Sequence, residues 1–268
     1  MQIGIIAGQG ELPVIIASDA KKRGYRVVTV AIENLADPAI EKISDDTRWV
    51  NVGKLGDLIN TFSKADIKRA VMAGKVPKSI LYKTKVIPDM RAVKLLFSLK
   101  DRSDDTIMNA ITSELEKEGI SIIDTVSFSP DILTPEGPIT KATPSKDEWK
   151  DIEFGWRIAK EIGRLDIGQT VVIKGKAVMA IEAIEGTDET IARGGRLAGE
   201  GSVVVKVSKP QQDMRLDVPV AGSDTISAMS KSGARVLAME AGKSIIINRE
   251  KVAAEAEAAS IAIIGIKL

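Results

Sequence analysis

The sequence predicts an α/β protein in two parts: a Rossmann-like domain with a parallel sheet over residues 1–130, then an α/β domain with a mixed sheet. In the first part, short apolar segments typical of strands alternate with amphipathic segments typical of helices, which favours a doubly wound parallel sheet. Later in the chain, two strand patterns flank Gly175 and Lys176 at hairpin spacing. A hairpin has antiparallel strands, so the second sheet is expected to be mixed.

The first domain is expected to open with a βαβ unit. An apolar strand pattern at residues 2–7 runs into the turn Gly8-Gln9-Gly10, and a helix pattern at 11–23 carries Pro13 in its first turn. The remaining predicted elements continue the alternation, with strands at 26–32, 49–52, 69–73 and 120–124 and helices at 54–63, 89–99 and 104–117.

Residues 131–147 are expected to link the two domains, because four prolines interrupt the polar stretch 129–147. The C-terminal domain is then expected over residues 148–268. Its predicted helices lie at 149–162, after Gly186, at 223–232 and at 250–259. Its predicted strands lie at 170–174, 177–184, 202–208, 235–240, 244–248 and 260–266.

The composition excludes much enzyme chemistry. The 268-residue chain has no histidine and no cysteine, which excludes disulfides, His or Cys nucleophiles, Ser-His-Asp triads and His/Cys metal sites. Proton transfer would fall to Asp, Glu, Lys, Tyr or a metal-bound water, and any metal would be one that prefers oxygen ligands, such as Mg²⁺. The net charge of +1 gives no broad case for a nucleic-acid partner.

Targeting features are missing from the sequence. The first residues lack the basic segment and cleavage site of a secretory signal. No apolar stretch reaches the roughly 18 residues expected of a membrane-spanning helix. We therefore expect a cytoplasmic protein.

The glycine turn after the first strand is one candidate binding site. Backbone N–H groups of Gly8, Gln9 and Gly10 at a helix N-terminus can bind a phosphate or nucleotide sugar, and Gly74-Lys75 after a later strand could line the same crevice. Pro13 leaves the dinucleotide fingerprint incomplete, which weakens a reading as an NAD-dependent oxidoreductase. A tight turn with no ligand is the alternative.

Two polar clusters in the second half are further candidates. Glu182, Glu185, Thr187 and Asp188 surround Gly186 and could hold a hard cation and a phosphate; otherwise they cap a helix and are solvated. A later cluster could neutralise charge on a phosphoryl group around one carboxylate; otherwise it is a solvated loop with incidental ion pairs. That later cluster consists of Lys206, Lys209, Gln211, Gln212, Arg215 and Asp217.

Seven segments in order give the chain a family resemblance. They are IAGQGELP at 6–13, AGKV at 73–76, DD at 104–105, EIGRLDIGQ at 161–169, EAIEGTDE at 182–189, KPQQDMRLDVP at 209–219 and NRE at 248–250. With these segments the chain resembles the LpxI-type UDP-2,3-diacylglucosamine pyrophosphatase family along essentially its whole length. It departs from the family pattern at Gln9, where a third glycine is frequent, and at Asn248, where Asp is more frequent.

The resemblance implies an activity and a set of residues. The reaction would be Mg²⁺-dependent hydrolysis of the UDP-sugar diphosphate to UMP and lipid X in lipid A biosynthesis, with the substrate between two domains and the C-terminal domain catalytic. The family's essential aspartate lies in an RxDxP segment, which makes Asp217 the candidate catalytic carboxylate. Implied metal ligands are Glu185, Asp188 and Asp217. Implied substrate-binding residues are Gly8, Gln9, Gly10, Leu12, Pro13, Gly74, Lys75, Gly186, Thr187, Lys206, Lys209, Gln211 and Arg215.

The resemblance also implies partners. The substrate and lipid X carry two acyl chains, so transient peripheral contact with the inner membrane is expected. On the same ground we expect a homodimer. We expect no nucleic-acid partner. A nucleotide-sugar binding or regulatory module without catalysis is the alternative function.

Overall fold

The computed structural model describes residues 1–77, 86–101 and 104–268, and the chain forms two compact units. Unit 1 comprises Met1–Pro130 together with Met214–Leu216, and unit 2 comprises Asp131–Asp213 and Asp217–Leu268. The short segment Met214–Leu216 therefore belongs with unit 1, although it lies far along the chain.

The described residues of unit 1 contain five strands: β1 (Gln2–Ala7), β2 (Arg26–Ile32), β3 (Asp46–Val50), β4 (Arg69–Ala73) and β5 (Ser121–Ile122). They form one parallel sheet in the order β3-β2-β1-β4-β5, which confirms the predicted parallel sheet. The strand order reverses between β1 and β4. In open α/β sheets, ligands bind beyond the carboxyl ends of the strands at such a reversal.

The described helices of unit 1 are α1 (Leu12–Lys22), α2 (Ile40–Ile43), α3 (Leu55–Lys64), α4 (Met90–Ser98) and α5 (Asp104–Lys117). Apolar side chains of α3 and α5, among them Phe62 and Leu115, pack with the strands into one core. Asp89 precedes α4, and its carboxylate accepts hydrogen bonds from the backbone N–H of Ala92 (2.8 Å) and of Gly56 in α3 (2.6 Å). One side chain thus caps α4 and ties it to α3.

Unit 2 contains eight strands: β6 (Gly137–Pro138), β7 (Thr170–Lys174), β8 (Ala177–Ile181), β9 (Ser202–Lys206), β10 (Val220–Ala221), β11 (Ala234–Glu240), β12 (Ile245–Ile246) and β13 (Ala262–Ile266). Six form a mixed sheet in the order β6-β13-β11-β9-β7-β8, as predicted. The β7–β8 hairpin turns at Gly175 and Lys176, whose φ angles are 59° and 58°. Positive φ at both central residues gives the turn the twist that a two-residue hairpin needs.

The central strands of the mixed sheet are buried on both faces. In β9, Val203 and Val205 pack in one apolar cluster and Val204 packs in the other, because alternate side chains of a strand point to opposite faces. The helices that cover the faces are α6 (Lys146–Arg164) on one side, and α7 (Thr187–Ala198), α8 (Ser223–Ser232) and α9 (Arg249–Ala258) on the other. The unit therefore has a three-layer core.

Residues 131–147, predicted to be a linker, contribute ordered structure to unit 2. β6 pairs with β13, and the hydroxyl groups of Thr134 and Ser244 share a hydrogen bond of 2.7 Å. The first two residues of α6 also lie in this range, and Ser145 with Glu148 forms a capping box at its start. Proline in this range therefore marks an edge strand and a turn.

The strand predicted at 244–248 is wrong in extent. Only Ile245–Ile246 is a strand, and it pairs with β10 in a separate two-stranded sheet. Because β9 and β13 pair with both edges of β11, the residues after Gly242 cannot pair with β11. The short strands β6 and β10 were not predicted, because two residues carry no readable period.

Across the described parts of the chain, no helix combines the length and apolar character required to cross a bilayer.

Candidate active site

In unit 1, the two glycine-containing loops predicted to share a crevice edge lie side by side. They follow β1 and β4, which are adjacent parallel strands, so their carboxyl ends meet at one edge of the sheet. Three backbone hydrogen bonds join them: Gly8 N–H to Ala73 O (2.8 Å), Gln9 N–H to Lys75 O (2.9 Å) and Lys75 N–H to Gln9 O (2.9 Å). Gly8, Gln9, Gly74 and Lys75 therefore form one structural element at the point where the strand order reverses.

The glycines of this element differ in what they do. A side chain on Gly8 would meet the Lys75 carbonyl oxygen at 2.8 Å, and one on Gly74 would meet the Gln9 carbonyl oxygen at the same distance, so these two glycines allow the loops to approach. Gly10 has a φ of 102° and open space beside it. Gly10 is thus the glycine whose backbone is open to a ligand. Leu12 and Pro13, also predicted to bind substrate, are buried in α1.

In unit 2, a buried polar chain joins the two clusters that the sequence singles out. The Lys206 ammonium group at the end of β9 donates to the Thr187 hydroxyl (2.7 Å), which donates to the Glu182 carboxylate (2.8 Å). Lys206 is only 5% exposed and Glu182 8%, which argues against the solvated-loop alternative for Lys206. Thr187 is the first residue of α7, and Gly186 precedes it with a φ of 86°.

Unsatisfied acceptor atoms lie next to this chain. Thr170 is the neighbour of Lys206 across the β7–β9 pair, and its hydroxyl is buried without a hydrogen-bond partner in the described structure. The side-chain oxygen of Gln169 is buried and unpartnered as well, while the Gln169 backbone N–H donates to Glu182 (3.2 Å). Buried polar atoms without partners are rare in folded proteins and indicate a place for a water or a ligand. Gln169 and Thr170 were not among the site residues predicted from the sequence.

The loop that leads towards Asp217 is anchored on the end of α6. Lys209 forms a buried ion pair with Asp166, and the Gln211 side chain donates to the Gly163 carbonyl (3.3 Å). These contacts hold the start of the 209–219 segment against the residues that end α6. Asp166 was missed in the sequence argument, because its partner lies 43 residues away.

A second buried ion pair fixes the start of the same loop. Glu240 pairs with Lys160 (2.5 Å) and accepts hydrogen bonds from the backbone and hydroxyl of Ser208 (2.8 and 2.7 Å). Burial acts to raise the pKa of Glu240, but hydrogen bonds from Lys160 and Ser208 outweigh it and hold that pKa below its usual value. Glu240 is therefore charged at neutral pH and positions Ser208.

Asp217 lies on the exposed part of this loop. Its backbone carbonyl accepts a hydrogen bond from the Gln212 side chain, and Val218 after it is buried. The loop therefore holds the Asp217 backbone while the residue remains accessible. Arg215 belongs to unit 1, where its guanidinium lies 3.5 Å from the Glu116 carboxylate.

The predicted metal ligands do not form a ligand set in this arrangement. Glu185 pairs with Arg193 at 2.6 Å; burial acts to raise the Glu185 pKa, but hydrogen bonds from its own backbone N–H and from Arg193 outweigh it and keep the pKa low. The Asp188 carboxylate accepts a long hydrogen bond of 3.5 Å from the Thr225 hydroxyl. Among the residues that the structure describes, no three acidic side chains come together to hold a metal ion. Mg²⁺ binding by Glu185, Asp188 and Asp217 stays a prediction.

The fold and these sites define a class: a two-unit α/β protein with polar binding elements suited to anionic, phosphate-bearing ligands. Comparison with known proteins gives the family. LpxI N-terminal domain matches residues 2–132, and LpxI C-terminal domain matches residues 135–264. The UDP-2,3-diacylglucosamine pyrophosphatase LpxI of Caulobacter vibrioides is 30% identical over 276 aligned residues, which cover 99% of this chain and 97% of that protein. The chain belongs to the LpxI family.

One solved structure, the biotin carboxylase subunit of pyruvate carboxylase, aligns with 73% of this chain and 41% of its own. The TM-score is 0.29 and the sequence identity 12%, so this likeness carries no argument about fold or function.

Proposed function

We propose that this protein hydrolyses the diphosphate of UDP-2,3-diacylglucosamine to UMP and 2,3-diacylglucosamine 1-phosphate, lipid X, in lipid A biosynthesis. The observation that carries the proposal is membership of the LpxI family over both halves of the chain, with a relative of that named activity at nearly full coverage. Water adds to one phosphorus, the bridging P–O bond breaks, and each product leaves with one phosphate.

Three groups described above have chemistry that suits this reaction. Asp217 is an accessible carboxylate on an anchored loop, and its proposed role is to orient the attacking water and accept its proton. Lys206 is a buried ammonium group with one hydroxyl acceptor among the described residues, so two of its N–H bonds remain for phosphate oxygens. In unit 1 the N–H groups of Gly8 and Gln9 already donate to Ala73 and Lys75, so the open turn at Gly10 is the part proposed to face an anionic or nucleotide group.

The first test is hydrolysis of UDP-2,3-diacylglucosamine in detergent by the wild type, Asp217→Ala and Asp213→Ala. Asp213 is the nearest acid in the same loop and serves as the matched control. We expect Asp217→Ala to lower kcat by roughly a thousandfold or more, and Asp213→Ala to keep most of the activity. Full activity of Asp217→Ala would remove Asp217 from the mechanism.

Metal dependence is tested in the same assay with EDTA and added Mg²⁺. Loss of turnover with EDTA and recovery with Mg²⁺ would support the predicted cofactor. Substrate binding without turnover by the wild type, under any divalent metal, would leave the alternative of a nucleotide-sugar binding module.

We also propose that the protein works at the cytoplasmic face of the inner membrane, because both substrate and product would carry acyl chains. A homodimer belongs to the same proposal. Light scattering of the purified protein distinguishes a mass near 28.7 kDa from twice that value.

A further inference from the structure

Helix α4 of unit 1 presents an apolar stripe to solvent. Phe97 is 88% exposed, Met90 73%, and Ile87, just before the helix, 68%. Met90 and Phe97 are seven residues apart, which places them on one face of the helix, and Ile87 lies three residues before its first residue. Single exposed apolar residues are normal, but two large ones on one face of a helix, with a third just before the helix, indicate a surface that is covered in function.

The stripe is on a helix that is firmly held. Leu95 is buried in the core of unit 1, and Ala92 and Leu99 pack against the same core. Asp89 fixes the start of the helix through its bonds to Ala92 and Gly56. The exposed apolar side chains therefore do not result from a loosely packed helix, since the core-facing side of α4 is already satisfied.

The charges on α4 itself are positive, and acidic side chains beside the helix neutralise all but one of them. The helix itself carries Arg91 and Lys94 and no acid, and Lys94 has no salt-bridge partner in the described chain. The groove between α4 and α5 is lined by Arg91, Lys94 and Lys117 against the single acid Glu114. Arg91 pairs with Glu118 and Lys117 with Glu114, so Lys94 supplies the unneutralised charge. A helix with exposed aromatic and aliphatic side chains beside basic ones is the pattern that binds anionic lipid surfaces.

We propose that α4 is the surface by which this protein docks on an anionic lipid bilayer, with Ile87, Met90 and Phe97 entering the headgroup region and Lys94 facing lipid phosphates. The proposal deepens the proposed function, because an enzyme acting on a diacylated substrate needs a lipid-facing surface. It names that surface, which family membership does not.

The test is sedimentation of the full-length protein with vesicles of phosphatidylcholine alone or with phosphatidylglycerol, none of which contain the substrate. We expect binding to the anionic vesicles, weakening in high salt, and a loss of about tenfold or more in Met90→Ser/Phe97→Ser and in Ile87→Ser. Leu197→Ser is the matched control, because Leu197 is 67% exposed on α7 of unit 2, and its binding should equal the wild type's. Lys94→Glu should remove the preference for anionic vesicles.

The proposal would be overturned if the wild-type protein did not bind anionic vesicles, or if the stripe variants bound them as tightly as the wild type. It would also be overturned if Leu197→Ser lost as much binding as the stripe variants. A wild-type dimer that the stripe variants convert to monomers without any vesicle binding would make the surface an interface between copies instead. Hydrolysis in detergent reports on the proposed function separately, so a failed vesicle experiment leaves that function untouched, and the reverse also holds.

Discussion

Lys206 and Lys209 are both buried, each 5% exposed, yet the structure gives them different surroundings. Lys209 has an ion-pair partner in Asp166, whereas Lys206 contacts the neutral Thr187 hydroxyl, which links it to the Glu182 carboxylate. A buried charge costs several kcal/mol of desolvation, which an ion pair offsets and a single hydroxyl offsets less. The Lys206 charge is therefore better explained by a ligand than by the stability of the fold.

Replacing these two lysines should separate the two roles. Lys206→Met should destabilise the protein less than Lys209→Met does, by about 1 to 2 kcal/mol, because Glu182 is joined to Lys206 only through the Thr187 hydroxyl, while kcat/KM falls by about a hundredfold or more. Lys209→Met should cost about 3 kcal/mol, because it leaves the buried Asp166 carboxylate unpaired. Urea unfolding and hydrolysis on the same samples give both quantities. A stability loss in Lys206→Met equal to that in Lys209→Met would make Lys206 a structural residue.

At the scale of single residues, the sequence predicts much of the site but not how its members connect. Lys206, Thr187 and Glu182 are identifiable as polar residues at element ends. Their hydrogen-bond chain depends on β9 and β8 lying on either side of β7, an order that no local pattern specifies. Gln169 and Thr170 look like ordinary residues at the start of a strand, and only the burial of their oxygens distinguishes them.

At the scale of elements, the pair of loops after β1 and β4 is what the sequence anticipates best. A glycine turn directly after an apolar strand predicts its own position, and parallel strands bring their carboxyl ends to one edge. The sequence does not show that Gly8 and Gly74 each leave room for the backbone of the other loop, because this depends on contact between the two loops. Helix α6 begins three residues before its predicted start. Its capping residue, Ser145, lies in the stretch that was predicted to be a linker.

The loop contact predicts a stability difference between two Gly→Ala substitutions in unit 1. Gly74 and Gly24 have similar φ angles, 84° and 78°, but only Gly74 has backbone atoms within 3 Å of an added side chain. Gly24→Ala should cost about 1–2 kcal/mol for its left-handed conformation, and Gly74→Ala about 2 kcal/mol more for the collision with the Gln9 carbonyl. Denaturant unfolding of both variants measures this. Equal losses would show that the loops move apart at little cost.

At the scale of the whole molecule, the chain enters unit 1 twice. The backbone N–H of Thr125 donates to the Met214 carbonyl (3.1 Å), and Leu216 packs against the unit 1 core. Asp217, the next residue, belongs to unit 2. From the sequence, only one division of the chain was predicted, near residue 130. The return of three residues to unit 1 has no signal in the composition. Long-range packing of this kind becomes visible only in three dimensions.

Because Leu216 belongs to unit 1 and the next residue, Asp217, to unit 2, we predict that a substitution at Leu216 affects both the stability of unit 1 and the activity of Asp217. Leu216→Ala should destabilise unit 1 by about 2 kcal/mol through lost burial, and it should also lower kcat, because Leu216 positions the adjacent candidate catalytic carboxylate. Leu99→Ala is the matched control, since Leu99 is also partly buried against the same core but lies far along the chain from Asp217. Similar losses of stability are expected in the two variants, with a loss of kcat of about tenfold or more only in Leu216→Ala. Equal kcat values would mean that the contacts in unit 2, from Gln212 and from the buried Val218, hold Asp217 without help from the segment before it.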